Sequence, residues 1–284
     1  MVHFAQVVKA AYATAPENLS NSAGQTITVS LGGASTSYTV ITTIYANDLA
    51  TEMNPLRGTR RVSIGLVLQD AAGNVVIAVR GTEGILEWVQ DARFLPHPCP
   101  FLAGAGHTED GFTSMYMSFT VDAQPGSLSV AKSLATLPWR KTPVQSVTIC
   151  GHSLGGALAT LLALDVAANT PFTDPAAYTY ASPRTGDDTF VSMYSHVVQR
   201  SCRVANRMDL VPKLPAPPLY EHVPSLFELN PVVLGLPPKI LVKPEIACEH
   251  ILDSYLHLLD SYLHLLTLKA GGDVLPLTAA CVPL

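Results

Sequence analysis

Residues 147–165 read VTICGHSLGGALATLLALD, and this stretch decides the fold. The apolar run Val144–Cys150 is short enough for a buried central strand, and Leu154–Asn169 has helical composition. Between them, Gly151–Gly155 matches the Gly-x-Ser-x-Gly pattern of a nucleophile elbow. We therefore expect a sharp strand-to-helix turn that lifts the Ser153 hydroxyl above the edge of a sheet.

A steric and an electrostatic requirement explain the residues that flank this turn. A turn this sharp leaves no room for side chains near the serine, so glycine stands two residues before it and two after it. The following helix points its N-terminus at Ser153, which favours negative charge that develops there. A merely structural turn is the alternative, but the strand-like run before it and the helix-like run after it favour a serine nucleophile. We interpret His152 and the glycines as structural.

Strand-like and helix-like segments alternate along the rest of the chain, which we treat as a single domain over residues 1–284. Apolar residues at helical spacing predict helices near Phe4–Tyr12 and over Ile251–Lys269. The predicted strands are Thr26–Leu31, Tyr38–Tyr45, Ile64–Leu68, Val75–Val79, Tyr178–Ala181 and Cys202–Ala205. The alternation favours an α/β domain with a largely parallel sheet. Several prolines interrupt the most apolar segment, so we expect residues 224–244 to form a surface loop or flap.

Composition narrows the classes of function. The net charge of -5 and the lack of a basic cluster argue against nucleic-acid binding. With 48% hydrophobic and only 14% charged residues, any transient binding to a lipid interface would have to be apolar. The cysteine spacing suits no metal, so we expect neither a metal nor a cofactor, and nothing in the sequence indicates an oligomeric state. Lys9 and Pro16 argue against a signal peptide, so we expect secretion only if the sequence is a mature form.

Six segments resemble, in order, the class 3 (fungal-type) lipases of the α/β-hydrolase superfamily. Besides residues 147–165, they are VVIAVRGTEGILEWVQDARF at 75–94, HTEDGFTSMYMS at 107–118, YTYASPRTGDDTF at 178–190, VANRMDLVPKLP at 204–215 and HILDSYLHLL at 250–259. The resemblance implies an α/β-hydrolase fold with a mostly parallel sheet, flanking helices and a short lid helix.

The same resemblance implies that the chain hydrolyses carboxylic esters of lipids or of other molecules, with triacylglycerol lipase as the first expectation. A phospholipase A1 or a short-chain or feruloyl-type esterase is the alternative with the same chemistry. A lipase-like binding protein without catalysis is the alternative of another class.

Asp209 is the predicted acid of a Ser-His-Asp triad, in which a carboxylate orients the imidazole. It follows a short apolar stretch and precedes Leu210-Val211-Pro212, as expected for a loop after a strand, and the family carries its acid at the matching position. The alternative for Asp209 is a helix or turn cap. Asp187 and Asp188 compete for the role, but they follow Gly186 in a turn and are predicted to cap the next helix.

The base must follow the acid, because the superfamily order is Ser, Asp, His. The histidines after Asp209 are His222, His250, His257 and His264. The sequence LDSYLHL occurs at 252–258 and again at 259–265, so His250 and His257 both stand five residues before a tyrosine. His250 follows a predicted loop, from which it reaches a serine more easily, and we favour it. His257 is the alternative, whereas His222 matches a position that is usually structural in the family.

The oxyanion hole requires two donors. Leu154 follows the nucleophile and offers its backbone N–H. Arg80-Gly81-Thr82 ends an apolar strand, and the family uses the threonine of this motif, which makes Thr82 the second donor; the alternative for Thr82 is a helix N-cap.

Residues 84–91 match the lid helix of the family. Ile85, Leu86, Trp88 and Val89 make this segment too apolar for an exposed helix. We expect them to cover the site in a closed form and to contact substrate or a lipid interface when open; an ordinary packed helix is the alternative.

Overall fold

The computed structural model describes residues 1–14, 21–48, 60–82, 94–121, 129–137, 139, 142–230 and 250–269. For Tyr262 and residues 264–269 the description covers the backbone alone. The strands are β1 (Thr26–Leu31), β2 (Ala34–Asn47), β3 (Arg61–Asp70), β4 (Asn74–Val79), β5 (Pro96–Pro98), β6 (His107–Glu109), β7 (Ser146–His152), β8 (Ala176–Tyr180), β9 (Arg200–Asn206) and β10 (Leu226–Leu229). The helices are α1 (Val2–Thr14), α2 (Asp110–Met117), α3 (Val130–Ser133), α4 (Leu154–Asn169), α5 (Asp188–Val197) and α6 (Leu252–Lys269).

One sheet of eight strands organises the molecule, in the order β1-β2-β3-β4-β7-β8-β9-β10. The pairings from β1 to β4 are antiparallel, and short turns join β1 to β2 and β3 to β4. The pairings from β4 to β10 are parallel. The predicted α/β class, with a mostly parallel central sheet flanked by helices, is confirmed.

Alternating strand residues build a core on each face of the sheet. Along β4, Val75, Ile77 and Val79 belong to one core, and Val76 and Ala78 belong to the other. The first core is shared with α2, α3, α4 and α5, and the second with α1 and α6. Every residue of α4 from its start to residue 167 is buried, as expected of a helix that is apolar all round.

The carboxyl ends of the parallel strands meet at one edge of the sheet. The register pairs Val79 of β4 with Gly151 of β7, so the segment after β4 lies beside Ser153. Strand β9 ends at Asn206, three residues before Asp209, at the same edge. Crevices outside the carboxyl ends of such strands are where open α/β sheets bind ligands.

The structure describes part of the predicted flap and none of the predicted lid helix. Within the predicted flap 224–244, the expectation of a loop is wrong for Leu226–Leu229, which form β10 and pair with Arg203–Asn206 of β9. The strand ends shortly before Pro231, which has no N–H for a ladder, and this proline obscured the strand signal. Residues 231–244, and the predicted lid 84–91 with Ile85, Leu86, Trp88 and Val89, lie outside the described residues.

Candidate active site

Ser153 occupies a strained turn between β7 and α4. Its φ of 60° and ψ of -130° lie in a region that side chains with a Cβ rarely adopt. Its N–H donates to the Tyr180 carbonyl at 2.9 Å, and its carbonyl accepts from the Gly156 N–H at 2.8 Å. These bonds hold a conformation that costs on the order of 1–3 kcal/mol.

The two glycines of the elbow stand where backbone fills the space of a side chain. A Cβ on Gly151 would lie 2.0 Å from the Gly155 carbonyl oxygen. A Cβ on Gly155 would lie 2.4 Å from the Val79 oxygen and 2.5 Å from the Arg80 oxygen. The start of α4 therefore packs directly against β4 and β7, and this close approach fixes the height of Ser153 above the sheet.

Ser153, His250 and Asp209 form a continuous hydrogen-bonded chain. His250 Nε2 lies 2.7 Å from Ser153 Oγ, and His250 Nδ1 lies 2.9 Å from Asp209 Oδ2. Because a carboxylate only accepts, Nδ1 carries the proton and Nε2 accepts from the serine hydroxyl. The exposed fractions are 1% for Ser153, 3% for His250 and 0% for Asp209, so bulk water does not compete for these bonds.

Asp209 has three further backbone and side-chain links. The Val211 N–H donates to its Oδ1 at 2.9 Å, and the Tyr255 hydroxyl donates to its Oδ2 at 2.8 Å. The Asn206 carbonyl accepts from the Asp209 N–H at 3.0 Å. The Tyr255 hydroxyl itself accepts from the Asn206 N–H at 2.9 Å, so α6 and the end of β9 hold the carboxylate together. Burial, followed by the Asp209 charge, raises the pKa of Tyr255 well above its ordinary value, so the phenol keeps its proton.

The competing residues lie elsewhere. Asp187 caps α5 by accepting from the Phe190 N–H at 2.8 Å, which confirms the predicted cap, and Asp188 lies in the first turn of that helix. His222 Nε2 contacts the Pro212 carbonyl at 2.5 Å, and burial lowers the pKa of His222 to about 3. His257 lies inside α6, and within the described part of the chain nothing joins it to Ser153 or Asp209.

The segment Arg80-Gly81-Thr82 runs against Ser153. A Cβ on Gly81 would lie 3.0 Å from the Ser153 Cβ, so the predicted oxyanion segment touches the serine. Buried Arg80 donates to the Gly81 carbonyl at 2.7 Å and to the Ser63 carbonyl at 2.6 Å, which fixes the segment from below. Leu154 is the first residue of α4, where a backbone N–H has no acceptor within the helix.

His152 links the base to the opposite side of the site. Its Nε2 donates to the His250 carbonyl at 2.8 Å, and its Nδ1 accepts from the Tyr12 hydroxyl at 2.9 Å. Tyr12 in turn accepts from the Gly81 N–H at 2.8 Å. Burial lowers the pKa of His152 to about 3, with a smaller contribution from neighbouring His250, so the ring is neutral.

Sequence reasoning missed two tyrosines of this site. Tyr12 and Tyr255 belong to α1 and α6, far along the chain from their partners, and no local pattern marks their hydroxyls. The spacing of five residues between His250 and Tyr255 was a usable signal, because it brings both side chains to Asp209. For His152 the sequence predicts only a structural role.

Two kinds of feature are not found among the described residues. Across the described ranges, no group of three His, Cys, Asp or Glu side chains is arranged to hold a metal ion. In that same part of the chain, no helix is long and apolar enough to cross a membrane.

Relatives of the chain include plant and fungal enzymes. Phospholipase A1-II 7 of Oryza sativa subsp. indica is 34% identical over 167 residues, and secreted mono- and diacylglycerol lipase 1 of Fusarium solani is 30% identical over 171 residues. The alignments cover 50% and 59% of this chain but 41% and 47% of those proteins. The chain thus spans less than half the length of either relative.

Solved structures share the fold. A deletion mutant of the Rhizomucor miehei lipase in complex with its propeptide is 26% identical, with a TM-score of 0.50 over 58% of this chain and 51% of that chain. A mutant of MDLA from Penicillium cyclopium is 23% identical, with a TM-score of 0.53 over 80% of this chain and 76% of that chain. The fold of this chain is therefore that of the α/β-hydrolases.

The family model of "Lipase (class 3)" matches residues 76–218, just over half of the chain. The match includes the segment after β4, the elbow and Asp209. This chain belongs to the class 3 lipase family.

Proposed function

We propose that this chain is a carboxylic ester hydrolase that forms an acyl-enzyme on Ser153, with acylglycerols as its substrate class. The observation that carries the proposal is the buried chain from Ser153 Oγ through His250 to Asp209, with contacts of 2.7 and 2.9 Å. Membership of the class 3 lipases supports it independently.

The roles follow from the hydrogen bonds. Ser153 Oγ attacks the ester carbonyl while His250 Nε2 takes its proton, and Asp209 stabilises the resulting imidazolium. The oxyanion is stabilised by the N–H of Leu154 and by the N–H and hydroxyl of Thr82. His250 then returns the proton to the leaving alcohol, and a water activated by the same histidine releases the acid.

This acyl-transfer mechanism does not determine which head group the substrate carries. Phospholipase A1 activity is the second candidate, because relatives at 34% identity carry that name. The acylglycerol candidate has a matching relative in the mono- and diacylglycerol lipase of Fusarium solani. The shape of the acyl and head-group pockets separates the two, so the substrate has to be measured.

Labelling with a fluorophosphonate tests the nucleophile. We expect the wild type to gain one adduct on Ser153 and Ser153→Ala to gain none, read by intact mass and peptide mapping. An unlabelled wild type would favour a binding protein that kept the fold without the chemistry.

Two histidine variants test the base. His250→Ala should reduce kcat on a p-nitrophenyl ester by at least about 10³-fold, with residual rate from the oxyanion hole. His257→Ala, the copy in the repeat, should keep the wild-type rate. Inactivity of His257→Ala with an active His250→Ala would reverse the assignment.

Triacylglycerol emulsions and phosphatidylcholine, compared in the same assay, then decide between the two substrate classes.

A further inference from the structure

Partly buried Tyr12 and buried His152, which transfer no proton in the proposed reaction, connect its oxyanion segment to its base. The Gly81 N–H donates to the Tyr12 hydroxyl at 2.8 Å, and that hydroxyl donates to His152 Nδ1 at 2.9 Å. His152 Nε2–H donates to the His250 carbonyl at 2.8 Å. The proposed oxyanion segment and the proposed base are thus joined by three hydrogen bonds in series.

The direction of every bond in this relay is fixed. A backbone N–H can only donate and a backbone carbonyl can only accept, so Gly81 donates to the tyrosine oxygen and an imidazole proton lies on Nε2. In the neutral ring Nδ1 then carries no proton, and the Tyr12 hydroxyl donates to it. Burial, which lowers the pKa of His152 to about 3, keeps it neutral.

The contacts of Gly81 are close enough for the relay to control position. A Cβ on Gly81 would lie 2.7 Å from the Tyr12 hydroxyl and 3.0 Å from the Ser153 Cβ. A side chain at position 81 would therefore meet both the tyrosine and Ser153, and only glycine lets the backbone approach both this closely. The next residue is Thr82, the proposed oxyanion donor.

Helix α1, which carries Tyr12, packs on the sheet through its buried residues Ala5, Val7, Val8 and Ala11. Lys9 of α1 pairs with Asp253 of α6 at 2.6 Å, three residues after His250. The ring of Phe4 stacks on Tyr178 of β8 at a centroid distance of 4.7 Å. Helix α1 lies outside the residues that match the family model, so it adds a component that this match does not contain.

We propose that Tyr12 and His152 are positioning residues that hold the Gly81-Thr82 segment and His250 in register across Ser153. The inference rests on the proposed function for its catalytic consequence. Its structural part, the restraint on Gly81, stands on the hydrogen bonds alone.

The test is Tyr12→Phe, which keeps the ring and removes the hydroxyl. Its kcat should fall about tenfold with KM within about twofold, because a displaced oxyanion donor costs less than the 10²–10³-fold loss of a deleted one. The matched control is Tyr38→Phe, which removes the hydroxyl that contacts His3 of α1 at 2.7 Å, away from the site. A loss of kcat in both variants would mean that only the docking of α1 matters and would overturn the proposal.

Hydrogen exchange at the Gly81 amide supplies a readout that needs no substrate. Exchange should accelerate in Tyr12→Phe and stay unchanged in Tyr38→Phe, whether or not the chain hydrolyses esters. Unchanged exchange in both variants, or a wild-type kcat in Tyr12→Phe, would overturn the proposal. If the wild type resists fluorophosphonate while Gly81 exchange still depends on Tyr12, the proposed function fails and the relay remains.

A second variant keeps the test decisive if Tyr12→Phe folds poorly. His152→Gln retains an amide that can reach the His250 carbonyl but lacks the Nδ1 acceptor of Tyr12, whereas His152→Ala lacks both. We expect kcat to decrease in the order wild type, His152→Gln, His152→Ala. Equal losses in the two variants would contradict a relay with two ends.

Discussion

Strain at Ser153 is local, and its neighbours hold it in place. The residue combines a φ of 60° with a Cβ, while the bonds to Tyr180 and Gly156 leave the backbone no alternative. A strained residue persists only when its surroundings over-determine it, and such residues cluster at reactive sites. Part of the stability of β7 and α4 is therefore given up to present the hydroxyl.

Removing this strain should stabilise the fold. Ser153→Gly and Ser153→Ala both lack the nucleophile, but only glycine adopts this φ without strain, so Ser153→Gly should be more stable by about 1 kcal/mol. Urea unfolding midpoints measure the difference. The control is the same pair at Ser195 inside α5, where the order should reverse by about 1 kcal/mol because glycine disfavours helix. The same sign at both positions would contradict the strain argument.

Asp209, the proposed acid, is held by the hydroxyl of Tyr255. Tyr255→Phe removes the buried hydroxyl that accepts from the Asn206 N–H and donates to Asp209, which should cost about 1–3 kcal/mol of stability. We expect kcat to fall about tenfold as well, since groups that orient a reacting residue contribute at least that much.

The matched control for Tyr255→Phe is Tyr194→Phe. Its hydroxyl contacts Ser201 at 3.1 Å in the core on the other face of the sheet. This variant should lose stability and keep its kcat, as judged by thermal unfolding and ester hydrolysis. A wild-type kcat in Tyr255→Phe would show that Asp209 is oriented without the tyrosine.

Among the elements, those with local signals were predictable. The strand, turn and helix around Ser153 follow from adjacent residues, because the two glycines and the apolar run act within one turn. The sequence does not predict β5, β6 or β10, since β5 and β6 span only three residues each and β10 depends on pairing with β9. The parts of the site contributed by Tyr12 and Tyr255 depend on contacts between distant segments, which local patterns do not encode.

Helix α2 begins at an unusual cap. Glu109 accepts from the Phe112 N–H at 2.8 Å, yet only 4% of the residue is exposed. Burial raises the pKa of Glu109 from 4.5 to about 7, although the helix N–H groups oppose the change. The folded state therefore keeps a proton on this carboxyl over a pH range in which the unfolded chain has lost it.

The cap makes the stability of the fold depend on pH. A group whose pKa is higher in the folded state stabilises the fold fully at pH values below its unfolded-state pKa. This stabilisation is lost as the pH rises through the folded-state pKa. From pH 4.5 to about 7, the free energy of unfolding should fall by up to about 3 kcal/mol through this group. Glu109→Gln keeps an acceptor oxygen without the titration, so its decline should be smaller. Parallel curves for the two proteins in urea unfolding would contradict the assignment.

At the scale of the whole molecule, the site is assembled from both faces of the sheet. The elbow packs on the core shared with α4, whereas Tyr12 and Tyr255 come from α1 and α6 on the other face. The proposed triad and the proposed relay therefore require that both layers are docked. This arrangement explains why two helices that contribute no proposed reacting atom reach the reacting residues.

The charge of the whole chain determines how it should meet a lipid surface. With a net charge of -5, we expect any adsorption to come from apolar contacts, which we propose for the predicted lid 84–91 and its Trp88. The other tryptophan, Trp139, donates to the Leu134 carbonyl at 2.9 Å and packs against the core, so Trp139→Phe leaves Trp88 as the single reporter. The fluorescence emission of Trp88 in this variant should shift to the blue when neutral triacylglycerol droplets are added.

That shift should persist up to about 1 M salt, where the Debye length is only about 3 Å, and anionic lipid should not strengthen it. Trp88→Phe is the control, because its remaining tryptophan should not respond to droplets. If Trp88 does not respond and ester hydrolysis gains nothing at the interface, the chain acts as an open esterase without a working lid. If salt abolishes the response, adsorption is electrostatic, and a local basic patch rather than the apolar lid must carry it.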